Sequence, residues 1–228
     1  MAGRGLRVWA SLSGLVFVVL AVVGSILLFD GPSDSSPAKM TAYYQSSSHR
    51  LHINIGWILT GLGLFSLIWF VAAVRERIRE SELAASEQGT LLSTIVLVGG
   101  TVYIAVAMAG IAVADGIRTM SDDTYQHRVY SGVIHAASDA SYLLVVTGGA
   151  AMAALIFATS IAVRRFEILP RWVGWFGYAA GVAAIFSVIF FTMLFWLVWM
   201  AVASVALFLR SRTTAVASPR RSEALPAS

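Results

Sequence analysis

WVGWFGYAAGVAAIFSVIFFTMLFWLVWMAVASVALFL, residues 172–209, runs 38 positions without a charged side chain. At 1.5 Å of rise per residue one helix of that length would extend about 57 Å, nearly twice the roughly 30 Å of hydrocarbon in a bilayer. The stretch therefore reads as a hairpin of two membrane spans. We place its turn near Phe190–Phe195, although no Gly or Pro follows Gly181 to punctuate it. Three further uncharged windows, Val8–Phe29, Leu51–Val74 and Gln88–Ala114, each have the length of one span, and Val129–Val163 is interrupted only by Asp139. The chain is thus expected to be all-α, a transmembrane helical bundle of six spans. A single domain would cover residues 1–210, followed by a disordered cytoplasmic tail over 211–228.

Composition excludes the alternatives. The 228 residues are 58% hydrophobic and 12% charged, with a mean hydropathy of +0.78. A soluble domain carries about 25% charged residues, so this one could not cover a globular surface with polar groups. Disorder and a coiled coil fail on apolar content, and with no Cys there is no disulfide scaffold, thiolate chemistry or iron–sulfur ligation. Six spans place twelve of the 16 Lys and Arg on the side of the termini, leaving Lys39, Arg50, Arg118 and Arg128 opposite. The basic excess marks the cytoplasmic side, so both termini are expected there, in a multi-pass protein of the cell membrane. The pI of 9.8 then reflects attraction to anionic lipid heads at an Arg-rich cytoplasmic face, with no nucleic-acid partner. The first window is longer than a signal-peptide core and no A-x-A-like site follows it, so it reads as a retained helix.

Between the spans the local signals are few. Ser36-Pro37 offers an N-cap and a first-turn proline. The run from Arg75 to Gln88 continues the second span as a solvated helix, with Arg79 and Glu82 spaced i,i+3. Ser121-Asp122-Asp123 reads as the N-cap of the fourth helix, with two acids at its positive end, and Ser131-Gly132 as a kink within it. Pro170 starts the fifth helix, with Trp172 and Trp175 at the interface. Small residues recur inside the spans, among them Gly99, Gly100, Gly148 and Gly149. They support close packing, with Gly177 and Gly181 as a GxxxG that leaves a homo-oligomer open.

One polar stripe stands out. Ser131, His135, Ser138, Asp139 and Tyr142 fall on one helical face, and Asp139 is the only charge inside a window. Counting back from Val163 puts the hydrocarbon edge near Leu144, so Asp139 lies about 7 Å beyond it, in the interface. His52 and Asn54 fall at similar depth on the second helix. The candidate polar cluster is therefore His52, Asn54, His135, Ser138, Asp139 and Tyr142. It reads first as a hydrogen-bonded structural contact. The alternatives are a proton or metal-ion pathway through imidazole and carboxylate, and a bis-His haem site on His52 and His135. No phosphate-binding loop, zinc-protease or serine-hydrolase motif occurs, so no catalytic residue and no cofactor is assigned. The expected role is structural or partner-binding.

The segment Leu169-Pro170-Arg171-Trp172-Val173-Gly174-Trp175, with Gly181 after it, Gly56-Trp57 and Gly61 in the second helix, and a Trp-containing last span, resembles an uncharacterised family of actinobacterial six-span integral membrane proteins. The resemblance runs from about Leu51 to Arg212. It implies a membrane location and a helical bundle, and no activity.

Overall fold

The computed structural model describes residues 2–29, 36–85 and 89–217, and within them every regular element is helical. The elements are α1 (Ala2–Phe29), α2 (Pro37–Gln45), α3 (Ser47–Ala84), α4 (Leu91–Asp123), a 3-10 turn (Tyr125–His127), α5 (Ser131–Thr147), α6 (Gly149–Phe166), α7 (Arg171–Ile185) and α8 (Phe190–Ala217). Five stretches are long and apolar enough to cross a membrane: Val8–Leu28, Ser47–Ala84, Leu91–Asp123, Ser131–Phe166 and Phe191–Arg212. These fit a multi-pass membrane protein. The fourth is α5 and α6 in succession, interrupted at Gly148 and not at Ser131-Gly132, where α5 begins.

The uncharged 38-residue stretch does fold back on itself, but its turn is at residues 186–189, ahead of the expected Phe190–Phe195. Hydroxyls do what Gly or Pro would otherwise do. Ser187 Oγ donates to Ala184 O at 2.7 Å, and Thr192 Oγ1 lies 2.7 Å from both Phe186 O and Ile189 O. The same three carbonyls each accept a backbone amide three residues on, from Ser187, Ile189 and Thr192, so the hydroxyls share the acceptors of consecutive tight turns. The result is a short α7 of 15 residues, about 22 Å long, packed against α8.

Neighbouring rods run antiparallel, and the last closes on the first. α1 packs on α3, α3 on α4, α4 on α5 and α6, α6 on α7, α7 on α8, and α8 on α1. Leu15 N–H donates to Ser204 Oγ at 3.0 Å, and that hydroxyl donates to Ser11 O, pinning the first half of α1 to the second half of α8. The N-terminal half of α1, the α3–α4 and α6–α7 connections and the end of α8 therefore share one end of the bundle, called here the terminal end. The distal end carries α2, the 3-10 turn and the 186–189 turn. α8 continues to Ala217, into the segment expected as a tail, and residues 218–228 of that expectation lie outside the described residues.

The main core fills the terminal half. Trp199, Met200, Met152, Leu155, Ile156, Leu67 and Phe70 are all 0% exposed. Trp199 Nε1 donates to Val173 O at 3.1 Å, tying α8 to α7. This contact requires Gly177. A Cβ there would stand 2.0 Å from Ser160 Oγ and 2.7 Å from Trp199 Nε1, so the GxxxG pair of α7 is used inside the chain, with Gly181 against Phe157. Gly177→Ala is expected to cost about 1–3 kcal/mol as overpacking. Gly116→Ala, where nothing lies within 4 Å, should lose nothing when both are followed by thermal unfolding in detergent micelles.

Two local expectations are corrected. Ser121, Asp122 and Asp123 end α4 and do not begin the next helix, because α4 runs on past Ala114 to Asp123. The α3 extension is not solvated all round: Val74, Ile78 and Glu82, spaced four apart, form a buried stripe while Arg79 is exposed. Ser36 and Pro37 do start a helix, the separate α2, which breaks at Ser46 before α3 begins.

Candidate functional site

The distal end is where the predicted polar residues lie, and the structure separates them. His52 is exposed and Asn54 half-buried on α3, while His135, Ser138 and Asp139 are exposed on α5. α3 and α5 each pack on α4 and scarcely touch each other, so His52 and His135 are not drawn into one site. Among the described residues no group of three or more His, Asp or Glu converges in a way that could hold a metal ion. Among the described residues, Tyr142 alone of the cluster makes a side-chain hydrogen bond between elements. Its hydroxyl donates to Val188 O at 2.7 Å, bridging α5 to the 186–189 turn.

A different polar assembly organises this end. Arg50, near the start of α3, is 15% exposed; its NH1 donates to Tyr44 O at 2.8 Å and Gln45 O at 2.9 Å, capping the last carbonyls of α2. Its Nε meets Asp122 Oδ1 at 2.8 Å. The other oxygen of Asp122 takes Arg118 NH1 at 2.9 Å, and Arg118 forks onto both oxygens of Asp115 at 2.6 and 3.3 Å. α2, α3 and α4 are thus locked by one ion-pair chain.

Beneath that chain Met40, Ile117, Val129 and Ile134 form a second small core, with Tyr44 and Ala137 against it. The 3-10 turn closes the side. Gln126 and His127 sit at φ 56° and 55°, a left-handed backbone that non-glycine residues adopt only when held there. Gln45 Nε2 donates to Gln126 O at 3.2 Å and His127 Nδ1–H to Ser121 O at 2.8 Å, which supply the holding. His49 stacks on Tyr43 with ring centroids 4.2 Å apart. Sequence reasoning counted Arg50 and Arg118 only as topological charges. The Asp115, Arg118 and Asp122 spacing of i,i+3 and i,i+4 was a legible signal for that part of the chain of pairs.

Burial, with the Tyr43 phenol adding to it, pushes the Tyr44 pKa from 10 up to about 12. A folded pKa above the unfolded one favours the folded cap fully below pH 10, and that contribution disappears as pH climbs from 10 through about 12. The expected result is a delayed phenolate absorbance step, seen in the wild-type minus Tyr44→Phe difference titration. A Tyr44 that ionised at 10 would mean the cap leaves it open to water.

Below the cap lies a cavity of about 510 Å³, bounded by α1, α3, α4, α5 and α8. Its lining includes Val22, Ile26, Thr60, Ile111, Val145 and Leu194. At its terminal end Trp196 stacks on Phe17 with centroids 6.4 Å apart and meets Tyr103 edge-on at 5.6 Å. The cavity exists because α5 packs on α4 and α7 stops at Ile185, so α6 and α7 fill only the terminal half of the ring.

Comparison of the chain with protein-family models, curated proteins and solved structures finds no match.

Proposed function

We propose that the chain is a six-span integral protein of the cell membrane, with both termini cytoplasmic, that works by binding within the bilayer and at its distal cap, without bond-making chemistry. The antiparallel ring supports six crossings, with α7 as the short fifth. Arg75, Arg77, Arg79, Arg164, Arg165 and Arg171, all at the terminal end, support its cytoplasmic placement and a contact with anionic lipid heads. The resemblance carried by Leu169–Trp175 agrees with this location and adds no reaction.

The observation that carries binding over conduction is the terminal half of the bundle. Phe17, Trp196 and Tyr103 floor the cavity, and Phe70, Met152, Trp199 and Met200 are packed dry beyond them, so the space leads nowhere a hydrated ion could follow. Asp139 and His135 stand exposed on α5, away from any such path.

In liposomes the protein is expected to pass no protons or divalent cations above the leak of empty vesicles, and Asp139→Asn to change nothing. A gradient-driven flux that Asp139→Asn lowered would replace this reading by a transporter. Reporter tags at the two ends are expected to report the same compartment, and the purified protein to show no Soret band.

A further inference from the structure

The corner between α6 and α7 carries three arginines, Arg164, Arg165 and Arg171, against one acid, Glu167. Glu167 closes α6 at φ 52°, and its carboxylate is taken by Arg171, whose Nε donates to Oε1 at 3.1 Å. Arg164 is exposed and makes no hydrogen bond or ion pair among the described residues. Its guanidinium lies over the Trp175 ring instead, Cζ 4.3 Å from the centroid. The ring fixes the cation in place and supplies no acceptor oxygen, so the guanidinium N–H groups remain available to an anion.

Trp175 is 60% exposed and meets Tyr178 edge-on at 5.8 Å, and Tyr178 packs on Phe157 at 6.4 Å. Tyr178 stands three residues further along α7 than Trp175, about 4.5 Å farther from the terminal end. Its hydroxyl makes no hydrogen bond among the described residues and is not closed off from the surface. Beyond it Ile161 and Val182, three and four residues from Arg164 and Tyr178 on their own helices, continue the face with apolar surface alone, 40% and 50% exposed. In the proposed topology this face turns toward lipid, with Trp172 and Trp175 marking the level of the head groups. From the terminal end inward it offers a cation, a hydroxyl and then hydrocarbon. A diacyl phospholipid presents its phosphate, ester carbonyl and acyl chain in the same order.

We infer that the outer face of α6 and α7 binds one anionic phospholipid, its phosphate on Arg164 over Trp175 and an ester carbonyl accepting the Tyr178 hydroxyl. The head group is net negative, because the corner holds more arginine than acid and its one carboxylate is already paired, leaving nothing to meet a head-group ammonium. A free phosphate would meet Arg164 and leave Tyr178 and the apolar strip unused. The inference rests on the membrane placement proposed above and narrows the general contact with anionic heads to a single site.

The full chain, purified in detergent, is titrated with dioleoyl phosphatidylglycerol or dioleoyl phosphatidylcholine, and retained lipid is counted by native mass spectrometry. One phosphatidylglycerol is expected to be held about 10-fold more tightly than phosphatidylcholine, the worth of a charge-assisted contact. Arg164→Ala is expected to abolish that preference. Arg212→Ala, which removes an arginine likewise set over a ring, Phe208 at 4.6 Å, is expected to preserve it. Tyr178→Phe is expected to keep the head-group preference and to erase an advantage of diester over diether phosphatidylglycerol of about 3- to 10-fold, the worth of one neutral hydrogen bond. Equal retention of the two head groups by the wild type, or equal loss of preference in the Arg164 and Arg212 variants, overturns the site. Equal retention of diester and diether lipid overturns the Tyr178 contact. Displacement by glycerophosphoglycerol, the head without chains, would assign the site to a soluble phosphate and overturn the lipid. Placement is read separately, in pure phosphatidylcholine vesicles, from which alkaline carbonate is expected to extract none of the chain. Release there would sink the membrane placement, whereas retention without a head-group preference sinks this site alone.

Discussion

Gly149→Ala is expected to lower stability by about 3 kcal/mol, the upper end of what overpacking a well-packed site costs. A Cβ on residue 149 would stand 2.3 Å from the carbonyl oxygen of Ala184 and 2.8 Å from Ser187 Oγ. The first is backbone and cannot swing away. It also accepts the Ser187 amide at 3.3 Å and the Ser187 hydroxyl at 2.7 Å, the bonds that begin the 186–189 turn. Pushing Ala184 back would therefore loosen α7 at the point where it ends, and with it the Tyr142 contact to Val188. Gly132→Ala, with nothing within 4 Å, is the matched control and should be neutral or slightly stabilising in a helix. Equal denaturation midpoints for the two variants would mean that α6 and α7 do not approach as closely as described.

The helical content and the membrane-length stretches were legible because hydropathy and charge act over whole windows, which no single residue can mask. The folding back of residues 172–209 was legible for the same reason, since 38 uncharged residues exceed one bilayer. Its position was not. Ser187 and Thr192 hydroxyls terminate the helices there, and such residues occur throughout apolar helices without ending them, so they give a weaker mark than Gly or Pro. The polar stripe on α5 was found as a stripe, because spacing tells which residues share a face. Spacing does not tell which way that face turns. In a bundle whose inner and outer surfaces are both apolar the usual contrast between core and solvent is missing, and the stripe proved to face outward. The Arg50 to Asp122 pair joins positions far apart in the chain, with no local pattern to link them. The cavity follows from the interruption at Gly148 and the early end of α7, each decided by tertiary contacts.

Glu82 provides the second large effect, at the other end of the bundle. Thr90, the N-cap of α4, makes no side-chain cap, and the carboxylate of Glu82 reaches across from α3 to do so. It accepts Leu92 N–H at 2.8 Å and Ser93 N–H at 3.4 Å while 1% exposed, a buried anion set at the positive end of a helix dipole. Glu82→Ala leaves both amides without an acceptor in a closed site and is expected to cost about 1–3 kcal/mol. Glu82→Lys adds a buried cation facing the same dipole and is expected to cost about 3–5 kcal/mol, a large share of the roughly 5–15 kcal/mol that holds a domain folded. Glu82→Gln keeps one acceptor oxygen, for Leu92 N–H, but turns an amide NH2 toward Ser93 N–H, so its deficit combines the lost charge at the helix dipole, about 0.3–1 kcal/mol, with the loss of the longer of the two bonds. Hydrogen exchange gives the local readout. The Leu92 and Ser93 amides are both expected to lose protection in Glu82→Ala, whereas in Glu82→Gln the Leu92 amide is expected to retain most of its protection and the Ser93 amide to lose it. Unchanged protection in the alanine variant would show that the first turn of α4 holds without its neighbour, and the coupling of α3 to α4 would then rest on the Val71 contact with Gly100.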